Sequence, residues 1–253
     1  MFHVEQSSCW RGVTAGMLAF ALLSSGCASM KSVRLYFPRD SGMVAVGQGI
    51  YADPALSETQ RAELHEAVAL GRERAGKFYG GLATSPTITA CATMDCYRYF
   101  GGIGAKGTSR WWAIVLAPRG RTADVVAHEW SHSELAHRVG KTRMPFLVPQ
   151  WFDEGIAVMI SEDPDYTEEK WRTATDNGAR RLRLADLWSQ RAWLRAARVD
   201  RQLTYGAAGR EVARWYAAVG REGFERLIEA LRRGEDFQEA YRRVEAVTGR
   251  GAR

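Results

Sequence analysis

Between Gly120 and Gly140 the chain runs without glycine or proline, and three of its five histidines fall within ten residues of that run. The stretch from Thr122 to about Val139 predicts a helix, with Thr122 or Asp124 able to cap its start and Gly140 able to end it. His128 and His132 are four positions apart, about 40° around a helix and one turn along it, so both imidazoles leave one face. Glu129 lies about 100° further round, beside that face. A compact apolar strand, Trp111 to Leu116, ended by Pro118, leads directly into the helix.

The rest of the chain supplies elements for an α+β fold. Ser32 to Phe37 alternates with Val33, Leu35 and Phe37 on one face, and Met43 to Ile50 is β-like with glycine turns. Ser57 and Gln60 form a capping-box pattern opening a helix from about residue 57 to 79, closed by Gly80 and Gly81. Residues 86–90 are β-like and Gly101 to Gly107 is a loop. A Pro-bounded connector, Met144 to Pro149, precedes a helical run from Gln150 to Ile160. Beyond an acidic turn at Asp163 to Asp165, the apolar sets Tyr205/Ala208/Val212/Trp215, Phe224/Leu227/Ile228/Leu231 and Phe237/Tyr241/Val244 predict three more helices. The expected architecture is a small mixed sheet with flanking helices up to about residue 140, then a helical lobe over about 141–253, with a cleft between them. With 253 residues, 46% of them hydrophobic, one domain spanning 28–253 can bury a core of its own. The formal charge is +6, but Arg and Glu alternate through the C-terminal third, which reads as a solvated surface and not as a nucleic-acid face.

The N-terminus carries a separate signal. Val13 to Leu23 is apolar but too short to span a bilayer as a helix, and it is followed by Ser24, Ser25, Gly26 and Cys27. Residues 1–27 resemble a bacterial lipoprotein signal, in which the thiol of Cys27 is lipidated. Ser24 stands where such signals carry a larger aliphatic residue, and Glu5 offsets Arg11. An ordinary cleaved signal peptide is the next reading and a buried helix the last. The resemblance implies a chain anchored through Cys27 in the cell envelope, facing the periplasm at the outer membrane. Cys91 and Cys96 are then the remaining cysteines, and an oxidising compartment permits a local disulfide between them; free thiols and a metal pair are the alternatives.

The helix motif HEWSH carries the chemistry. Two imidazole nitrogens on one face can reach one ion, and zinc lowers the pKa of its water from 15.7 to about 7, so that a carboxylate such as Glu129 can act as general base at neutral pH. A catalytic zinc needs a third protein ligand. A metzincin supplies it as a histidine six residues after the second, where this chain has Arg138, and His137 lies about 180° round the helix from the ligand face. The better candidate is Glu154, in WFDEGIAV, 22 residues after His132.

HEWSH, a proline and then WFDEGIA resemble the thermolysin-like gluzincin metallopeptidases, across roughly residues 110 to 245. The resemblance is specific only in those two motifs, with Trp151, Gly155 and Ala157 on neighbouring pattern positions, and it extends weakly to Leu184–Leu187 and the Tyr205 helix. It implies a zincin-like fold, Glu154 as third ligand to Zn2+, and water-mediated hydrolysis of a peptide bond, or of another amide such as a cell-wall cross-link. Thermolysin's supporting aspartate, four residues after its ligand glutamate, is replaced here by Val158, so Asp153 or Asp124 is left as its substitute. Tyr205 is the first choice of oxyanion donor, with a packing tyrosine as the alternative. The family's substrate-binding sheet edge maps onto Trp111, Trp112, Ala113 and Ile114, with the Gly101 to Gly107 loop shaping access. The rival from another class is a non-catalytic envelope lipoprotein, whose peptidase-like fold binds a protein or cell-wall partner; Glu129 argues against it.

Overall fold

Among the described residues, strand formation is confined to the first half of the chain, where short β-branched runs are separated by glycine turns. The computed structural model describes residues 33–251. Its strands are β1 (Val44–Gly47), β2 (Ile50–Ala52), β3 (Thr87–Ala90), β4 (Gly107–Arg110) and β5 (Ala113–Leu116), in the lateral order β1-β2-β3-β5-β4. The sheet is mixed: β1 and β4 run antiparallel to their neighbours, and β2, β3 and β5 are parallel. All four residues of β5 are buried, as an inner strand covered on both faces requires. Alternation sends Ile114 and Leu116 into the main core, and Ala113 and Val115 into a smaller cluster with Leu35, Tyr97 and Phe100.

The helices are α1 (Glu58–Tyr79), α2 (Met94–Tyr99), α3 (Ala123–Val139), α4 (Met144–Leu147), α5 (Gln150–Ser161), α6 (Glu168–Thr175), α7 (Gln190–Val199), α8 (Arg201–Arg233) and α9 (Phe237–Gly251). The expected capping box opens α1: Gln60 N–H donates to Ser57 Oγ at 3.2 Å, and Ser57 N–H to Gln60 Oε1 at 3.0 Å. Left-handed Gly80 closes it. Thr122 stands at the N-cap of α3 without a side-chain cap bond, and Gly140 ends the helix. The expected helices over Tyr205 and Phe224 form one element, α8, kinked at Gly220. A single core cluster joins the sheet to α1, α3, α5, α8 and α9.

Several expectations are corrected. Residues 33–36 form a helical turn and not a strand, with Phe37 N–H donating to Val33 O at 3.1 Å. Of the alternating set only Leu35 is buried, so no sheet face rewards the alternation, and Val33 and Phe37 stay exposed. The strand over Trp111 to Leu116 is shorter and is not a sheet edge: β5 lies between β3 and β4, and β4 is the outer strand. Trp111 and Trp112 make the turn between β4 and β5. Helices α2, α6 and α7 were not legible from apolar periodicity, since each buries only one residue. Cys91 and Cys96 form a disulfide, with Cα atoms 5.5 Å apart. No described helix is long and apolar enough to cross a membrane. The leader and the lipidation site at Cys27 lie outside the described residues.

Candidate metal centre

The histidine helix is held in place by its own sequence. Glu134, fully buried, accepts from Ala83 N–H at 3.0 Å and from Thr84 N–H at 2.7 Å, tying the turn after α1 to α3. Arg138, one turn on, lies 3.3 Å from the same carboxylate. This fixes the rotation of α3 so that His128 and His132 point together, their ring centroids 5.0 Å apart.

Helix α5 is oriented by its aromatic residues. Phe152 is fully buried against Trp215, Phe237 and Tyr241, and Trp151 packs on Phe237 and Tyr241. With those rings inward, the next two positions face α3. A Cβ at Gly155 would lie 2.6 Å from Ala208 O, so only glycine lets α5 cross α8 this closely.

Glu154 Oε2 thereby comes to 3.3 Å from His128 Nε2 and 3.9 Å from His132 Nε2. One ligand atom from each of the three residues falls within 4.8 Å of the others. Two ligands about 2.0–2.2 Å from a tetrahedral ion stand about 3.3–3.6 Å apart; the Glu154–His128 pair has that spacing, and the Glu154–His132 pair, at 3.9 Å, is slightly wider. Glu154 Oε1 accepts from Gln150 Nε2 at 3.1 Å, whereas the buried Oε2 has no hydrogen-bond donor, His128 being close but out of line. A buried charged oxygen left without a donor costs more than about 1–3 kcal/mol, and a cation removes that cost. His132 Nδ1 lies 2.8 Å from Asp153 Oδ1, which holds the ring with Nε2 turned to the shared point. Of the two aspartates left open as its partner, Asp153 and Asp124, it is Asp153 that contacts His132.

The charges follow from this packing. Burial alone would lower His132, but Asp153, then Glu154 and Glu129, outweigh it and push the ring up to about 10. Burial would raise Glu154, but His128, His132 and Gln150 hold its carboxyl below the usual range. Glu129 goes the other way: burial pushes its carboxyl up and Glu154 adds to that, against the two histidines and Ser109. Strand β4 abuts Glu129 directly, since a Cβ at Gly107 would sit 2.8 Å from its Oε1.

The three ligand candidates, Glu129 and Asp153 line one cleft of about 900 Å³, together with β4, the start of α8 and part of α7. Tyr205 lines it too, its ring 6.4 Å from that of His128 and stacked on Tyr166 at 5.3 Å. Burial, and then Glu154, push the Tyr205 hydroxyl up, so it is a neutral donor at ordinary pH. Of the expected substrate strand only Trp111 reaches the cleft; Ala113 and Ile114 are sealed inside the sheet, and Trp112 stacks on Tyr36 at 5.0 Å. His137 is exposed on another face, and the Cys91–Cys96 disulfide belongs to the smaller cluster across the sheet. Sequence reasoning missed Ser109 and Arg201, whose only signal was adjacency to recognised elements. In comparisons with known proteins the chain matches no family model, no curated protein and no solved structure.

Proposed function

We propose that the chain is a zinc-dependent peptidase of the gluzincin kind. The observation that carries the reading is the convergence of His128, His132 and Glu154 from two helices, with Glu129 buried alongside. His128, His132 and Glu154 would hold the metal, leaving a fourth position open, which is the pattern of a catalytic and not a structural zinc. Zinc there would supply a Lewis acid and water of lowered pKa.

The chain's own groups do the rest. Asp153 accepts from His132 Nδ1 and keeps Nε2 free to ligate. Glu129, with its carboxyl raised by burial, is suited to take a proton from attacking water and return it to the leaving amine near neutral pH. Tyr205, which lines the cleft beside His128, would donate its hydroxyl to the developing oxyanion. The outer strand β4 has an unpaired edge among the described residues, along which an extended peptide backbone can pair. This transfers the substrate-binding role from Trp111–Ile114 to Gly107–Arg110. The small mixed sheet beside α3 and the helical second half support a zincin-like fold, and the leader supports tethering in the cell envelope through Cys27.

Elemental analysis of the purified protein should find close to one zinc per chain, and a chelator should abolish cleavage of an unstructured protein. Glu129→Gln should keep zinc and lose activity by at least about a hundredfold, whereas His128→Ala should lose both. Full activity in Glu129→Gln would sink the mechanism.

A further inference from the structure

Six cationic residues line the cleft, Lys106, Arg110, Lys141, Arg191, Arg198 and Arg201, against four carboxylates, Glu129, Asp153, Glu154 and Asp163. Every one of those carboxylates is engaged within the protein. Glu129 and Glu154 belong to the metal centre, Asp153 holds His132 at 2.8 Å, and Asp163 lies 3.6 Å from Lys106. Lys106 is further paired with Asp165 at 2.8 Å, and Arg201 donates to the Tyr166 hydroxyl at 3.0 Å. The remaining four cations are exposed and have no carboxylate partner among the described residues. Lys141 rests its ammonium 4.0 Å over the Trp111 ring.

These four come from three places around the cleft. Arg110 ends the outer strand β4, Lys141 follows α3, and Arg191 and Arg198 lie on α7. The α7 pair is seven residues apart, two helical turns, so both side chains share one face. Trp193, fully buried, seats that helix on the body of the protein. Elsewhere some surface arginines pair with carboxylates, Arg172 with Glu168, Arg180 with Asp200, Arg214 with Glu211 and Glu245, and others, such as Arg119 and Arg195, do not; what sets the four apart is that they line one cleft. Unpaired cations gathered around a concave site focus a positive potential where a substrate must lie.

We propose that the cleft selects peptides carrying Asp or Glu beside the bond to be cut, an inference that rests on the peptidase reading of the metal centre. An acidic peptide extended along β4 brings its carboxylates to Arg110 at the strand end and to Arg191 and Arg198 on α7. An anionic bilayer is the less suitable partner, because the cations line a concavity that a flat surface does not enter.

Binding tests this independently of turnover. The zinc-loaded Glu129→Gln protein is titrated, by fluorescence anisotropy, with labelled peptides of one length whose central flanking residues are Asp/Glu, Asn/Gln or Lys. The acidic peptide should bind about tenfold more tightly than the neutral one. Raising salt from about 50 to about 300 mM should remove most of that preference. Adding Arg191→Gln with Arg198→Gln should weaken acidic binding about fivefold, with zinc content and melting midpoint unchanged. Equal binding of acidic and neutral peptides, or a preference that survives the double substitution, overturns the proposal. Arginine-dependent binding to phosphatidylglycerol vesicles without any peptide preference overturns it in favour of a membrane surface. Acidic peptides that bind as expected but are not cleaved by the unsubstituted protein support the charge selection and overturn the hydrolytic reading instead.

Discussion

His132 is gripped at Nδ1 by Asp153, 2.8 Å away, with Nε2 facing Glu154 Oε2 at 3.9 Å. Asp153→Ala frees the ring to turn, so zinc affinity should fall about 10–100-fold in competition with a chelator, and Asp153→Asn, which can still accept from Nδ1, should fall less. Unchanged affinity in Asp153→Ala would remove the aspartate from the centre. The same grip has a pH signature in the metal-free protein. His132 is raised from 6.5 to about 10 in the folded state, so its contribution to stability is fully present below the unfolded value and is lost as pH climbs through the folded one. Glu129, raised by burial, works in the same sense, whereas Glu154, held low, is already ionised across this window. The melting midpoint of metal-free protein should therefore decline from about pH 6.5 to about pH 10, and saturating zinc, which takes the place of the His132 proton, should flatten that decline. A pH-independent midpoint without metal contradicts the assigned partners. At this scale the sequence was legible where helical spacing alone decides, for His128, Glu129 and His132. Asp153 was not, because neighbouring helix positions differ by about 100° and only the packing of Trp151 and Phe152 shows which of them turn toward α3.

The elements that carry the ligand candidates, α3 and α5, were readable for a related reason: each is bounded by glycine or proline and long enough for its apolar stripe to repeat. Strand β4 has neither property. Its four residues, Gly-Thr-Ser-Arg, are mostly polar, and they become a strand only by pairing with β5 from Gly107 opposite Leu116 to Arg110 opposite Ala113. Helix α7 escaped notice because a single tryptophan anchors it. What brings α5 to α3 is the close crossing of α5 over α8 at Gly155 and Gly209. Gly155→Val puts side-chain atoms where Ala208 O and Val212 now lie, at 2.6 Å from its Cβ. The strain should cost about 1–3 kcal/mol in urea unfolding. Because α5 must shift to relieve it, zinc affinity should drop about tenfold or more, in keeping with ligands that tolerate displacements of only about 0.5 Å. Normal zinc binding in a destabilised Gly155→Val protein would mean that the crossing supports the fold without aiming Glu154.

For the whole molecule, the lateral order of the sheet could not be read from periodicity, which reports which face of a strand is buried and not which strands are neighbours. That is why a sheet edge was expected at Trp111–Ile114, whereas the outer strand is β4. The order has a consequence for stability. Ile88 and Ile114 from the inner strands, Val125 and Trp130 from α3, Phe152 and Ile156 from α5 and Leu227 from α8 all belong to one buried cluster. The first two ligand candidates and the third sit on helices that share this core, so a metal held by them would be lost with the core. Zinc at about 100 times its dissociation constant should then add about 2.7 kcal/mol to the folded state. For a chain of this size that corresponds to a rise in melting midpoint of roughly 5–11 °C. The transition should move as one in calorimetry, and His128→Ala should abolish the shift. Two transitions, of which zinc moves only one, would show that the sheet half and the helical half unfold separately, and that the metal joins them less firmly than their common core requires.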